Sequence, residues 1–254
     1  MARIVSIANQ KGGVGKTTTA VNLGASLAAA ERTVLVVDLD PQANATSGLG
    51  IDPQQVFRGS YEVLIGASPA ADAVHRSELD CLDVLPATRD LAGAEIELVS
   101  AERREWCLRE GLAPLRDRYD FVIIDCPPSL GLLTLNALCA ADSVIVPLQC
   151  EYYALEGLSR LLETIGMLRR ELNRDLVVDG ILLTMFDSRT SLSEQVAREV
   201  RENYDGRVFE TVIPRNVRLS ESPSFGKPAI LYDARSRGSQ RYLDLAREYL
   251  ECTP

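Results

Sequence analysis

The segment that most restricts this chain lies at its start. An apolar run over residues 3–9 (RIVSIAN) leads into Asn9-Gln10-Lys11-Gly12-Gly13-Val14-Gly15-Lys16-Thr17-Thr18-Thr19, followed by the helical run AVNLGASLAAA. A strand that enters a glycine-rich turn and leaves as a helix is a phosphate cradle. Gly12, Gly13 and Gly15 let the backbone curl with its N–H groups inward, and the helix N-terminus adds partial positive charge. In such a loop Lys16 reaches the β- and γ-phosphates of a nucleotide. The Thr17 hydroxyl completes a Mg²⁺ shell, and Thr18 bonds the α-phosphate. The candidate nucleotide-binding residues here are therefore Lys11, Gly12, Gly13, Val14, Gly15, Lys16, Thr17 and Thr18. Only three lysines occur among 27 cations, and two of them lie in this loop. That usage favours a compact ammonium over a planar guanidinium.

Two further carboxylate motifs share the pattern of a strand ending in acid. The run over 33–38 ends in Asp38-Leu39-Asp40-Pro41-Gln42, and period-two alternation puts Asp38 and Asp40 on one side. The run Phe121-Val122-Ile123-Ile124-Asp125 has the form of a Walker B strand, whose Asp sits at the sheet edge. Asp38, Asp40 and Asp125 are candidates, with Thr17, for holding the metal or orienting water. Cys126 follows Asp125 without a basic partner and reads as a packing residue.

Short Val/Ile-rich runs alternate with helical periods, the pattern of a doubly wound α/β fold around a mainly parallel sheet. Strands are expected near 3–9, 33–38, 81–86, 120–125, 142–148, 176–184 and 208–213. Helices are expected at 16–30, 90–118 with a break near Gly111 or Pro114, 130–140, 153–171, 191–204 and 237–251. Residues 41–60 read as a long loop. No repeat or linker divides the sequence, so 1–254 is expected to form a single domain with no DNA-reading domain ahead of it.

Composition removes several classes of function. The one histidine, His75, rules out a multi-histidine metal centre. Six scattered cysteines with no C-x-x-C pair fit a reducing cytoplasm. No apolar run is long enough to span a bilayer. With a net charge of -9, the chain can bind nucleic acid only through a local patch. Residues 207–241 supply one, with seven basic and three acidic side chains. Arg189, Arg198, Arg218, Lys227, Arg235 and Arg237 are the candidate DNA contacts, although a solvated face of ion-paired arginines reads the same way.

The loop KGGVGKT, with a lysine directly after Gln10 in place of the first glycine, resembles the deviant Walker A motif of the ParA/MinD group of P-loop ATPases. DLDPQ resembles that group's DxDPQ motif, although Ala43 stands where many relatives have glycine. PRNVRLSES-PS-GKP (residues 214–228) is very close to the C-terminal signature of chromosomal, Soj-like ParA proteins. The resemblance covers essentially residues 2–250. It implies an ATPase that uses ATP and Mg²⁺ and forms a nucleotide-sandwich homodimer. Lys11 touches the partner's nucleotide, Asp40 positions the water, Asp38 supports the metal shell, and Met185, Pro214 and Asn216 lie at the base. It also implies binding to nonspecific DNA at the nucleoid and hydrolysis stimulated by a ParB-type partner. Two alternatives stay open. A MinD-like membrane ATPase needs a basic amphipathic C-terminal helix, whereas QRYLDLAREYLECTP carries more acid than base. A metabolic ATP-dependent enzyme on this fold needs a substrate pocket, or cluster-bridging cysteines for which only Cys126, Cys139 and Cys150 are placed.

Overall fold

The Val/Ile-rich runs pair side by side, because a strand buried on both faces gains apolar burial from each of its residues. The computed structural model describes residues 1–151 and 154–252. In chain order the first elements are β1 (Arg3–Ile7), α1 (Lys16–Ala29), β2 (Val34–Asp38), α2 (Asn44–Gly48), α3 (Ser60–Leu64), α4 (Ala70–Ala73), β3 (His75–Arg76), β4 (Leu82–Leu85), α5 (Leu91–Glu97) and α6 (Cys107–Leu112). They are followed by β5 (Phe121–Asp125), α7 (Leu132–Ala140), β6 (Ser143–Gln149), α8 (Ala154–Glu171), β7 (Val177–Thr184), α9 (Ser191–Asn203), α10 (Val217–Glu221), α11 (Ala229–Tyr232) and α12 (Arg237–Cys252). The seven strands form one sheet in the order β3-β4-β2-β5-β1-β6-β7. Every pairing is parallel except the short β3–β4 edge.

Alternation along each strand divides the core into two layers. Leu35, Val37, Val122 and Ile124 face a cluster under α3 to α9. Val34, Val36, Phe121 and Ile123 face a second cluster under α1 and α12. Helix α1 lies so close to the sheet that a Cβ added at Gly24 would stand 2.8 Å from Val36 Cγ2. The apolar stripe of the final helix is core, because Tyr242, Leu245, Ala246 and Tyr249 are all buried.

Three expectations are corrected. Residues 208–213 form no strand; they touch the sheet through isolated bridges, Ile181 to Val208 and Phe186 to Pro214. The backbone N–H groups of Glu210 and Thr211 instead donate to Glu248 of α12, at 2.8 and 2.9 Å. The 41–60 loop contains α2 and a 3-10 turn at Pro53–Gln55. The expected 90–118 helix does break near Gly111 and Pro114, α6 ending at Leu112 before a 3-10 turn at Ala113–Leu115, and it breaks a further time in the polar stretch before α6. There Asn136 receives Leu108 N–H at 3.0 Å and donates to the Arg104 carbonyl at 2.8 Å. Residue 153, the expected start of the fourth helix, lies outside the described residues.

Candidate active site

The loop between β1 and α1 has the geometry its glycines allow. Gly13 and Gly15 adopt φ of 76° and 90°, a left-handed conformation that turns successive N–H groups to one side. Gly15 caps α1 with no side-chain hydrogen bond, and the first turn holds no acid. The orphan N–H groups of that turn are therefore available to an anion. Lys16 is 6% exposed, and its ammonium donates to the Lys11 carbonyl at 3.0 Å, arching over the loop. Burial lowers its pKa, against the pull of Asp125 and Asp40.

Strand register brings the carboxylates beneath this loop. Asp38 and Asp125 are direct partners in the β2–β5 ladder, and Asp125 also pairs with Ile7 of β1. Each follows two α1-facing residues in alternation, so both side chains point to the loop side of the sheet. Asp38 is fully engaged within the chain. One oxygen accepts Asp40 N–H at 3.1 Å, and the other accepts the Thr46 N–H and hydroxyl at 2.8 and 2.7 Å. Burial still pushes its pKa up to about 6. Asp125 is 0% exposed, and neither carboxylate oxygen has a hydrogen-bond partner. Burial first, and then Asp38, drive its pKa well above the ordinary range, while Thr17 and Lys16 oppose the shift. A buried carboxylate without partners, below a lysine and a threonine, fits a divalent cation beside phosphate. Asp40 sits at the rim, 7% exposed, with one oxygen accepting Gln42 N–H at 2.9 Å.

Gly15, Thr18, Met185, Pro214 and Asn216 surround one cavity of about 400 Å³, so the expected base-binding residues converge beside the loop. Asn216 also caps α10, its Oδ1 accepting Arg218 N–H at 3.0 Å. Three residues at this site have roles that the motifs do not assign. Thr184 donates from its hydroxyl to the Val14 carbonyl at 2.8 Å, tying β7 to the loop. Tyr242 lines the same cavity and hydrogen-bonds Thr19 at 3.1 Å. Asn9, buried behind the loop, donates to the Pro147 carbonyl at 2.7 Å and accepts Lys11 N–H at 3.0 Å. Asn9 and Thr184 carried a local signal, as the last residues of the expected strands 3–9 and 176–184. The Lys11 ammonium pairs with Glu151 of its own chain.

The six candidate DNA contacts separate into two sets. Arg189 is locked on Asp187 by two hydrogen bonds of 2.9 and 2.7 Å. Arg218 pairs with Glu221 and Asp233 and lies over the Tyr232 ring, and Lys227 pairs with Glu78. Arg198, Arg235 and Arg237 are exposed. Cys126 is buried and its thiol pKa is raised by burial, which keeps it a neutral packing group.

The family described as an AAA domain matches residues 2–178. The chain is 60% identical to the chromosome partitioning protein ParA of Myxococcus xanthus, over 99% of this chain and 89% of that one. It is 58% identical to the sporulation initiation inhibitor protein Soj of Bacillus subtilis, over 98% of each. The chain belongs to the ParA family of P-loop ATPases. Among solved structures, this ParA-family chain superposes with a TM-score of 0.88 on a Mycobacterium smegmatis protein named cobyrinic acid a,c-diamide synthase, bound to an ATP analogue and magnesium. That protein is 42% identical, with 99% of this chain and 95% of that one covered. No helix among the described residues of this ParA relative is long and apolar enough to cross a membrane.

Proposed function

We propose that this chain is a partition ATPase that dimerises around Mg·ATP, holds nonspecific DNA at the nucleoid in that state, and lets go after hydrolysis stimulated by a ParB-type partner. The observation that carries the ATPase reading is Asp125, buried and unbonded at the foot of an uncapped, glycine-turned helix start. Thr17 and Asp125 are the residues that would hold Mg²⁺, whose chemistry is to neutralise charge on the β- and γ-phosphates. The loop N–H groups and Lys16 bind and orient the phosphates, and positioning with charge neutralisation is most of what phosphoryl transfer requires. Asp40 orients the attacking water, and Asp38, through Thr46, ties α2 to the end of β2 just ahead of Asp40. Before Lys11 can reach a partner's phosphates it must leave Glu151.

DNA contact falls to the basic side chains after β7, where Arg198, Arg235 and Arg237 are exposed and, among the described residues, outside ion pairs. Retention on a DNA column with no nucleotide, ADP, ATP, and ATP plus Asp40→Ala tests the reading. ATP-dependent retention, prolonged in the variant and weakened by salt, is expected. Equal retention with ADP and ATP would falsify it.

The likeness to the mycobacterial protein named a diamide synthase favours a second reading, an ATP-dependent amide-forming synthase. The higher identity to the partition proteins weighs against it. ATP turnover that needs an added carboxylic acid acceptor and ignores DNA would transfer the chain to that class.

A further inference from the structure

Asp187 is the first ionisable side chain after β7, and it follows the wall of the cavity assigned above to the base. Met185, two residues before it, lines that cavity. Phe186, between them, packs against the core and is bonded to the facing segment. Its N–H donates to the Ile213 carbonyl and its carbonyl accepts Arg215 N–H, each at 3.1 Å. Ile213, Pro214, Arg215 and Asn216 all line the cavity too. The backbone of Asp187 is equally fixed, since its carbonyl accepts the Thr190 N–H and hydroxyl at 3.1 and 3.0 Å. Where its carboxylate lies is therefore a matter of rotating one short side chain.

That side chain is held by Arg189. Nε donates to one oxygen at 2.9 Å and Nη2 to the other at 2.7 Å, and the Arg189 backbone N–H adds a third bond at 3.0 Å. This is the two-pronged geometry in which a guanidinium holds a carboxylate best. It keeps the carboxyl well below the usual carboxylate range, and Arg215 of the cavity wall pulls the same way. A surface pair contributes little to stability, but this one stands where charge decides which base can enter.

Among the described residues no carboxylate lines the cavity, and its one charged group is Arg215. Guanine presents two adjacent donors, N1–H and the N2 amine, which the two oxygens of one carboxylate can accept together. Adenine has an acceptor, N1, in that place, and a carboxylate repels it. A free Asp187 would favour guanine. With both oxygens occupied, Asp187 gives guanine no acceptor, and donors buried without partners weaken binding.

We propose that Arg189 is a base-specificity residue: by occupying both oxygens of Asp187 it withholds the carboxylate next to the cavity wall, and so makes the site select adenine over guanine nucleotides. The inference rests on the nucleotide-site reading and goes beyond it, since no motif assigns a residue to the choice of base. The test is fluorescence titration of the full chain, with Mg²⁺, using ADP or GDP labelled on the ribose with N-methylanthraniloyl. Wild type is compared with Arg189→Ala, Asp187→Ala and the double variant. The ratio of the GDP to the ADP dissociation constant is taken within each protein, so a general loss of affinity or of folded protein cancels.

Wild type is expected to favour ADP. In Arg189→Ala the ratio should fall about tenfold, the low end for a hydrogen bond to a charged group. Asp187→Ala and the double variant should keep the wild-type ratio, because the carboxylate that Arg189 restrains is gone. An ion pair with a merely structural role would leave the ratio unchanged in Arg189→Ala, and that result overturns the proposal. So does a fall that persists in the double variant, which would not act through Asp187, or a wild type that binds the two nucleotides equally. A wild type that binds neither nucleotide removes the ATPase reading itself, and this inference with it.

Discussion

Both oxygens of Asp125 are buried beside Asp38, so the nucleotide-free fold disfavours ionisation of this carboxyl, with only Lys16 and Thr17 pulling the other way. The folded pKa values of Asp38, about 6, and of Asp125, higher still in direction, exceed the unfolded carboxylate value of about 3.9. The sign follows by linkage. Their contribution to stability is complete below about pH 4 and is lost as pH rises through about 6 and beyond. Asp125→Asn is expected to raise the nucleotide-free melting temperature at neutral pH, by about 1–3 kcal/mol in stability, and to flatten this pH dependence. Its hydrolysis rate should fall by about 10²–10³. Thermal melts from pH 4 to 8, with turnover assays, check both. Ala43 poses a different residue-scale question, since it adopts φ of 53° while buried before α2. Relief of left-handed strain, about 1 kcal/mol, offsets loss of a buried methyl of about 0.8 kcal/mol. Ala43→Gly should therefore be nearly neutral in denaturant melts, and a loss above about 2 kcal/mol would refute this account.

At the scale of elements, the carboxylate of Glu248 on α12 does what a strand partner would have done for residues 207–213. It accepts the N–H groups of Glu210 and Thr211 and pairs with Arg207. Glu248→Ala leaves those two donors without partners and is expected to cost about 1–3 kcal/mol, read as a lower denaturant midpoint with unchanged slope. This arrangement also explains what the sequence concealed. VFETVI alternates as a strand does, but no local pattern announces a carboxylate nearly forty residues away that takes its donors. The buried runs of β1, β2, β5, β6 and β7 were legible because nearly every residue in them is apolar or small, and a sheet covered on both faces requires that. The phosphate loop was legible because its function is contiguous in sequence. The support given by Thr184, Tyr242 and Asn216 was only partly so, since it depends on which chain ends the sheet order brings together. Helix α2 was missed because its anchor, Thr46 on Asp38, is a tertiary hydrogen bond within a stretch rich in turn formers.

For the whole molecule, a ligand that binds only the folded form stabilises it by mass action, about 2.7 kcal/mol at a hundred times its dissociation constant. Mg·ATP should raise the melting temperature accordingly, and Lys16→Ala should abolish the rise. ADP without magnesium should give less, because the charge of Asp125 then stays uncompensated. The two sheet edges are expected to respond differently: ligand at the loop should slow hydrogen exchange around α1 and α2 and leave the α8–β7 turn unchanged. One contact extends the response beyond the loop. Gly50 and Gly226 both adopt positive φ, and a Cβ on Gly50 would stand 3.0 Å from the Gly226 carbonyl. There is no side chain between these backbones to absorb a displacement. The stretch after Asp40 and the stretch leading to Lys227 therefore act as one lever with a bare hinge. Selection on either loop is selection on both, and a substitution tolerated in one should often need a compensating change in the other.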